Sequence, residues 1–253
     1  MLLGVQSTAS RPMKPTCLAG AFAMPRQPLK RVIPLQDRPQ LFFGIACPEK
    51  RPALAASLGK ILLAWPHVES HMGVVLGLIL GADSEPSLAV YEILRRSSSQ
   101  REAIEAAAKI KLSPKNVELL AAILNVHKSI EADRNAFAHG HIGWTDKLPD
   151  ALLWITTADY IRFALRAQHG TLDLKSDGYD QLAERTFVYS EQDLTKISNE
   201  VRDLWRAWID LNTYLAGLIR FEINGDEVYQ RLCEQPRIAQ ELVILRQKNP
   251  QPQ

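Results

Sequence analysis

Between Glu131 and Trp144 the chain reads EADRNAFAHGHIGW, which sets an arginine, an amide and two histidines within a few residues. Asn135 and His139 are four residues apart, so a helix through this stretch carries both on one face. Arg134 sits beside them. His139 falls just before Gly140, a residue type that commonly ends helices. At a helix C-terminus the macrodipole favours an imidazolium, and histidine titrates near neutrality, so a proton donor and acceptor is placed there. This set suits cleavage of an RNA phosphodiester without a metal. The histidine moves the proton of the 2′-hydroxyl or of the leaving group, the arginine stabilises the pentacovalent phosphate, and the asparagine orients either.

Helical periodicity says what must position them. At about 100° per residue, Leu119, Ile123, Val126 and Phe137 fall within roughly 40° of Ile130 and form the buried stripe. Arg134 falls inside that stripe, where an unpaired charge is costly. On an earlier helix, Glu69 occupies an equally anomalous seam position between Trp65 and Met72. A buried Glu69–Arg134 ion pair is one expectation; the other is that both side chains lie at the edges of their stripes and reach water.

Other constellations are weaker. His67 and His71 are four apart, a spacing a zinc pair uses, and His139 or His141 could complete a site. The intervening Glu69 is out of register for H-E-x-x-H, so neither metal nor cofactor is expected. His127 reads as a packed helix histidine and His169 as a loop residue. Of the tryptophans, Trp65, Trp205 and Trp208 fall on or beside helix seams. Trp144 is the one expected to stack on a base or line an interface. Phosphate-cradling, dinucleotide-binding and nucleophile-elbow motifs are absent from the sequence.

The elements follow from period and punctuation. Residues 53–81 are predicted helical, with Pro66 as a kink or a start. Ser84-Glu85-Pro86 opens a second helix, residues 101–112 form a third, and Ser113-Pro114 opens a long one ending at Gly140. Residues 152–156 and 186–189 are β-rich and predict a small two-strand insertion. Ser190 and Asp193 form a capping-box-like start to a helix reaching Phe221, with its seam at Leu194, Ile197, Val201, Leu204, Trp208, Leu211, Leu215 and Leu218. The fold class expected is all-α: residues 1–52 a basic, proline-rich, largely irregular arm with one short extended piece around residues 40–45, 53–222 a helical bundle, and 223–253 a short helix with a polar tail.

Charge divides along the same line. The 253 residues hold 30 Lys+Arg and 28 Asp+Glu, a net of +2. Residues 1–52 contribute +6 with 8 of the 15 prolines, and the remainder contributes −4. A protein binding nucleic acid through a generally basic body would not divide this way. Attraction for RNA is therefore expected from the arm, or from a local patch around Lys111, Lys115, Lys128 and Arg134. Three scattered cysteines predict no disulfide framework and suit a reducing cytosol. The apolar residues 53–82 contain Lys60, Pro66, His67, Glu69 and His71, so no membrane span is expected. The first 24 residues read either as transit-like or as upstream of a start at Met24.

Arg134-Asn135-x-x-x-His139 resembles the R-x(4–6)-H motif of the HEPN superfamily, in its form with asparagine after arginine. The resemblance extends over roughly residues 55–222: a helix with an acid in its seam, intervening helices, the motif helix and a late long helix. It implies a small helical bundle, often a metal-independent endoribonuclease of toxin–antitoxin systems, that dimerises so both motifs line one cleft. It further implies Arg134, Asn135 and His139 as catalytic positions, with RNA as substrate and an antitoxin protein as partner; Glu69, His141 and Trp144 are the residues expected, from their own places in the sequence, to support them. Some members are non-catalytic nucleotide-binding, RNA-binding or protein-interaction modules, and that alternative stays open.

Overall fold

The structure, a computed structural model, describes residues 27–34, 37–81, 84–173, 177–220 and 225–248. In chain order these form β1 (Gln27–Pro28), α1 (Leu29–Val32), β2 (Phe42–Phe43), α2 (Cys47–Lys50), α3 (Pro52–Leu80), α4 (Ser84–Ile93), α5 (Ser97–Lys111) and α6 (Pro114–His139). Then come β3 (Gly140–Trp144), β4 (Ala151–Thr156), α7 (Thr157–Gln168), α8 (Asp177–Arg185), β5 (Phe187–Ser190), α9 (Glu191–Arg220), α10 (Asp226–Glu234) and α11 (Pro236–Lys248). The protein is mostly helical, as the periodicity predicts, but it is not all-α.

Three long helices carry the core. The seam of α9 from Leu194 to Leu215 is buried throughout, and Leu218 is half-buried. The predicted capping box starts this helix: the Ser190 backbone N–H donates to Asp193 Oδ2 at 2.8 Å, and the Asp193 N–H donates to Ser190 Oγ at 3.2 Å. Against α9 lies α3, which runs unbroken through Pro66 and buries Ile61, Trp65, Val68, Met72 and Val75. It ends where Gly81 takes φ 63°, a left-handed cap donating to the Gly77 and Leu78 carbonyls. By length and composition alone α3 could cross a membrane. In the fold it is the central helix, packed between α5, α6 and α9.

Side-chain pairs set the directions. Trp208 on α9 meets His127 on α6, and Tyr214 meets Asn116, so α6 runs antiparallel to α9. Asn125–Glu241 and Glu118–Arg246 place α11 antiparallel along the other side of α6. The C-terminal end of α6 runs directly into β3.

The predicted two-strand insertion is instead part of a five-stranded antiparallel sheet, ordered β1-β5-β4-β3-β2. Both predicted strands exist, as β4 and β5, and they pair with each other. β2 falls within the short extended piece expected around residues 40–45, and the other two strands left little trace in sequence. β1 and β2 are two residues each, and β3 contains two glycines, which carry poor strand propensity. Alternation divides β4 between two cores. Leu152 and Trp154 face the bundle, while Ala151 and Leu153 face a second cluster with Leu29, Ile33, Tyr179 and Ala183 from α1, its flank and α8.

That second cluster alters the picture of the N-terminal region. Within the expected irregular arm, residues 27–34 and 37–52 are part of the folded body: β1 pairs with β5, β2 pairs with β3, and Leu29, Ile33 and Cys47 are buried. Residues 1–26 lie outside the described residues, so the reading of them as a basic arm or a leader is untouched. At the other end, residues 226–248 form two helices rather than one, with Leu232, Ile238 and Leu242 in the main core.

Candidate functional site

The motif sits on the last two turns of α6, and a tryptophan anchors those turns. The Trp154 indole N–H donates to the Ala136 carbonyl at 2.9 Å. Gly140 is the residue that lets the ring in: a Cβ there would stand 1.9 Å from Trp154 Nε1. Its backbone is extended, φ −97° and ψ 168°, so it is not the left-handed helix stop expected of it. The chain leaves α6 straight into β3, and glycine serves close approach rather than positive φ. A second tie holds the exit from outside, where the exposed Thr157 hydroxyl at the start of α7 donates to the His139 carbonyl.

On this frame Arg134 is half-buried, with its guanidinium carbon 5.8 Å from the centre of the Trp65 ring. Its Nη1 donates to Asn135 Oδ1 at 2.8 Å, and its buried Nε has no hydrogen-bond partner among the described residues. His139 is exposed, one turn further on. Arginine and amide are therefore coupled to each other, while the imidazole faces outward.

The expected Glu69–Arg134 ion pair does not form; none of the ion pairs among the described residues joins them. Trp65 stands between the two. Its indole N–H donates to Glu69 Oε1 at 2.7 Å, and its ring face lies toward Arg134. Both polar residues are half-buried, so the edge-of-stripe expectation describes them better. An ion pair does form one turn before Arg134: Arg101–Glu131, linking α5 to α6, with side chains 14% and 13% exposed. Arg101 also donates to Ser97 Oγ at 2.6 Å. Nothing in the sequence marks Arg101, because it is one of several charges on an amphipathic helix and its partner lies 30 residues away.

Tyr91 of α4 completes the wall by donating its hydroxyl to the Glu69 carbonyl at 2.9 Å. Burial, followed by the Glu69 and Glu131 carboxylates, pushes its phenol above the tyrosine range, which keeps it a neutral donor.

The supporting residues separate. His141 stacks on Tyr160, with centroids 3.9 Å apart at 15°, on the sheet face opposite the bundle. Trp144 stacks on Phe42 at 5.1 Å and 14° and packs toward the main core. Neither joins Arg134. Trp205, assigned to a helix seam, is 37% exposed.

The histidines of α3 also separate. His67 is exposed, whereas His71 Nδ1 lies 2.7 Å from Asn212 Nδ2, and burial, then His67, pulls its pKa down. Among the described residues, no three or more His, Cys, Asp or Glu side chains gather to hold a metal ion. His127 is fully buried between Trp65 and Trp208, accepts the Trp208 indole N–H on Nδ1 at 3.2 Å, and is pulled down to about 4, chiefly by burial.

The predicted local basic patch is not local. Lys115 and Arg134 lie 19 residues apart on α6, about 28 Å along its axis. An open groove of about 1070 Å³ also lies at the far end, lined by Leu112, Val117, Leu120 and Leu245. No family model, curated protein or solved structure matches this chain.

Proposed function

We propose that this chain is a HEPN-like helical protein of the cytosol that cleaves RNA without a metal, using Arg134, Asn135 and His139. One observation carries the reading. At the exit of α6, Arg134 is oriented by a hydrogen bond to Asn135, and His139 is presented to solvent one turn beyond. In such a reaction the 2′-oxygen attacks phosphorus, a cyclic phosphate forms, and the 5′-oxygen leaves with a proton. The HEPN resemblance implies a second copy of the chain whose motif faces the same cleft. One His139 then acts as base and the other as acid, with Arg134 offsetting charge on the phosphate oxygens.

The test is cleavage of single-stranded RNA in EDTA. His139→Ala is expected to lower the rate at least a hundredfold while leaving the circular dichroism spectrum and melting temperature unchanged. Undiminished cleavage by that variant, or a requirement for added metal, overturns the reading.

A second reading rests on the packing of Arg134 over Trp65 and on its use of Asn135 Oδ1. Both contacts are internal, and they favour a non-catalytic RNA-binding or protein-interaction module in which Arg134 and Asn135 hold the helix end. Intact RNA binding without cleavage of any RNA selects it.

A further inference from the structure

Beside His139 the molecule carries a row of rings that the cleavage chemistry does not use. Alternation along β3 turns His141 and Gly143 to the sheet face opposite the bundle, and the register sets Phe43 against Gly143 on that face. α7 covers it there. Tyr160 stacks on His141 at 3.9 Å and 15°, and Phe43 meets Tyr160 in an edge arrangement, 6.3 Å apart at 66°. Gly143 makes the room, since a Cβ on it would stand 2.7 Å from Phe43 Cδ1. All three residues are half-buried rather than enclosed in the core.

The row is continuous with the motif. Thr157, one turn before Tyr160 on α7, holds the His139 carbonyl. His141 lies two residues past His139, about 7 Å of extended chain, the scale of one nucleotide. Trp144, expected from sequence to stack on a base, lies on the other, bundle side of the sheet, where it packs with Phe42 against the main core.

We propose that Tyr160 and His141 form the stacking platform for an unpaired base of the RNA strand, next to the phosphate that reaches His139. The assignment rests on the cleavage reading of His139. In-line attack by a 2′-oxygen needs a nucleotide freed from its helical stack, and a base pulled out of its stack is held well by an aromatic face. Stacking of this kind tolerates every base, so the platform selects single-stranded over paired RNA rather than one sequence over another.

The experiment compares binding of a short fluorescein-labelled single-stranded RNA, by anisotropy in EDTA, to His139→Ala and to the same protein carrying Tyr160→Leu or Tyr160→Phe. Tyr160→Leu is expected to weaken binding about tenfold and Tyr160→Phe to keep it, with little change for a fully paired duplex. The same RNA carrying abasic sites is expected to bind the His139→Ala protein about tenfold more weakly, a measurement that does not depend on how Tyr160→Leu folds. Equal affinity for intact and abasic RNA, an equal loss for duplex and single strand, or no binding of single-stranded RNA overturns the platform. Cleavage that persists with Tyr160-independent binding sinks the platform and spares the catalytic reading. Tyr160-dependent binding without cleavage does the reverse.

Discussion

Adding one methyl group at Gly140 should loosen the motif helix. An alanine Cβ there stands 1.9 Å from Trp154 Nε1, 2.4 Å from Cε2 and 2.8 Å from Cδ1. The obstacle is a stiff ring, not the end of a flexible chain, and Trp154 is only 4% exposed. Moving the ring breaks its 2.9 Å hydrogen bond to the Ala136 carbonyl and leaves that group short of a partner. The lost bond costs about 1–3 kcal/mol and the overpacking about 1–3 kcal/mol. Reduced entropy of the unfolded chain returns about 0.4–1 kcal/mol, so Gly140→Ala should destabilise by about 1–6 kcal/mol. Urea unfolding followed by circular dichroism measures it, with the slope checked for two-state behaviour. In a Trp154→Leu background the same substitution should cost less than about 1 kcal/mol, because the obstacle is gone. Gly140→Asn adds a second discrimination. A left-handed cap would tolerate asparagine better than alanine, whereas a close approach tolerates neither. A Gly140→Ala cost below about 0.5 kcal/mol, or equal costs in both backgrounds, refutes the reasoning.

Two further outcomes follow from the buried polar groups. His127 is neutral when folded and its pKa falls to about 4, while the unfolded ring titrates near 6.5, so the unfolded state binds more protons in between. Stability is therefore fully present above pH 7 and should fall by about 2 kcal/mol between pH 7 and 5, with His71 adding in the same direction. His127→Gln, which can still accept from Trp208, should flatten that dependence in urea titrations across this range. For the Arg101–Glu131 pair, Glu131→Gln should cost about 2–4 kcal/mol by leaving a mostly buried guanidinium uncompensated. Replacing both partners with methionine should recover most of the loss in thermal melts. A Glu131→Gln loss below about 0.5 kcal/mol would mean that water screens the pair.

The helices were legible because each signal is local. The α9 seam repeats at helical spacing with its capping box in the adjoining residues, and Ser113-Pro114 marks the start of α6 within one residue. The candidate site was legible only as a cluster of residue types. Arg134, Asn135 and His139 stand out because an arginine breaks an apolar stripe and a histidine precedes a glycine. Which group faces Arg134 was not readable: Trp65 and Glu69 are one turn apart on the same seam, and the periodicity does not say which of the two lies against α6. Tyr160 and Arg101 were overlooked for a related reason, since each gains meaning only from a partner far along the chain.

Sequence alone therefore determined the long helices, their buried faces, strands β4 and β5 and the place of the motif at the end of α6, because periodicity and caps act within a few residues. Tertiary structure alone decided the rest: the five-stranded sheet, the folding of residues 27–52 into the body, the insertion of Trp154 over Gly140 and of Trp65 between Glu69 and Arg134. These are contacts between segments roughly 15 to 160 residues apart. Their energy comes from shape and burial, which a helical wheel does not contain.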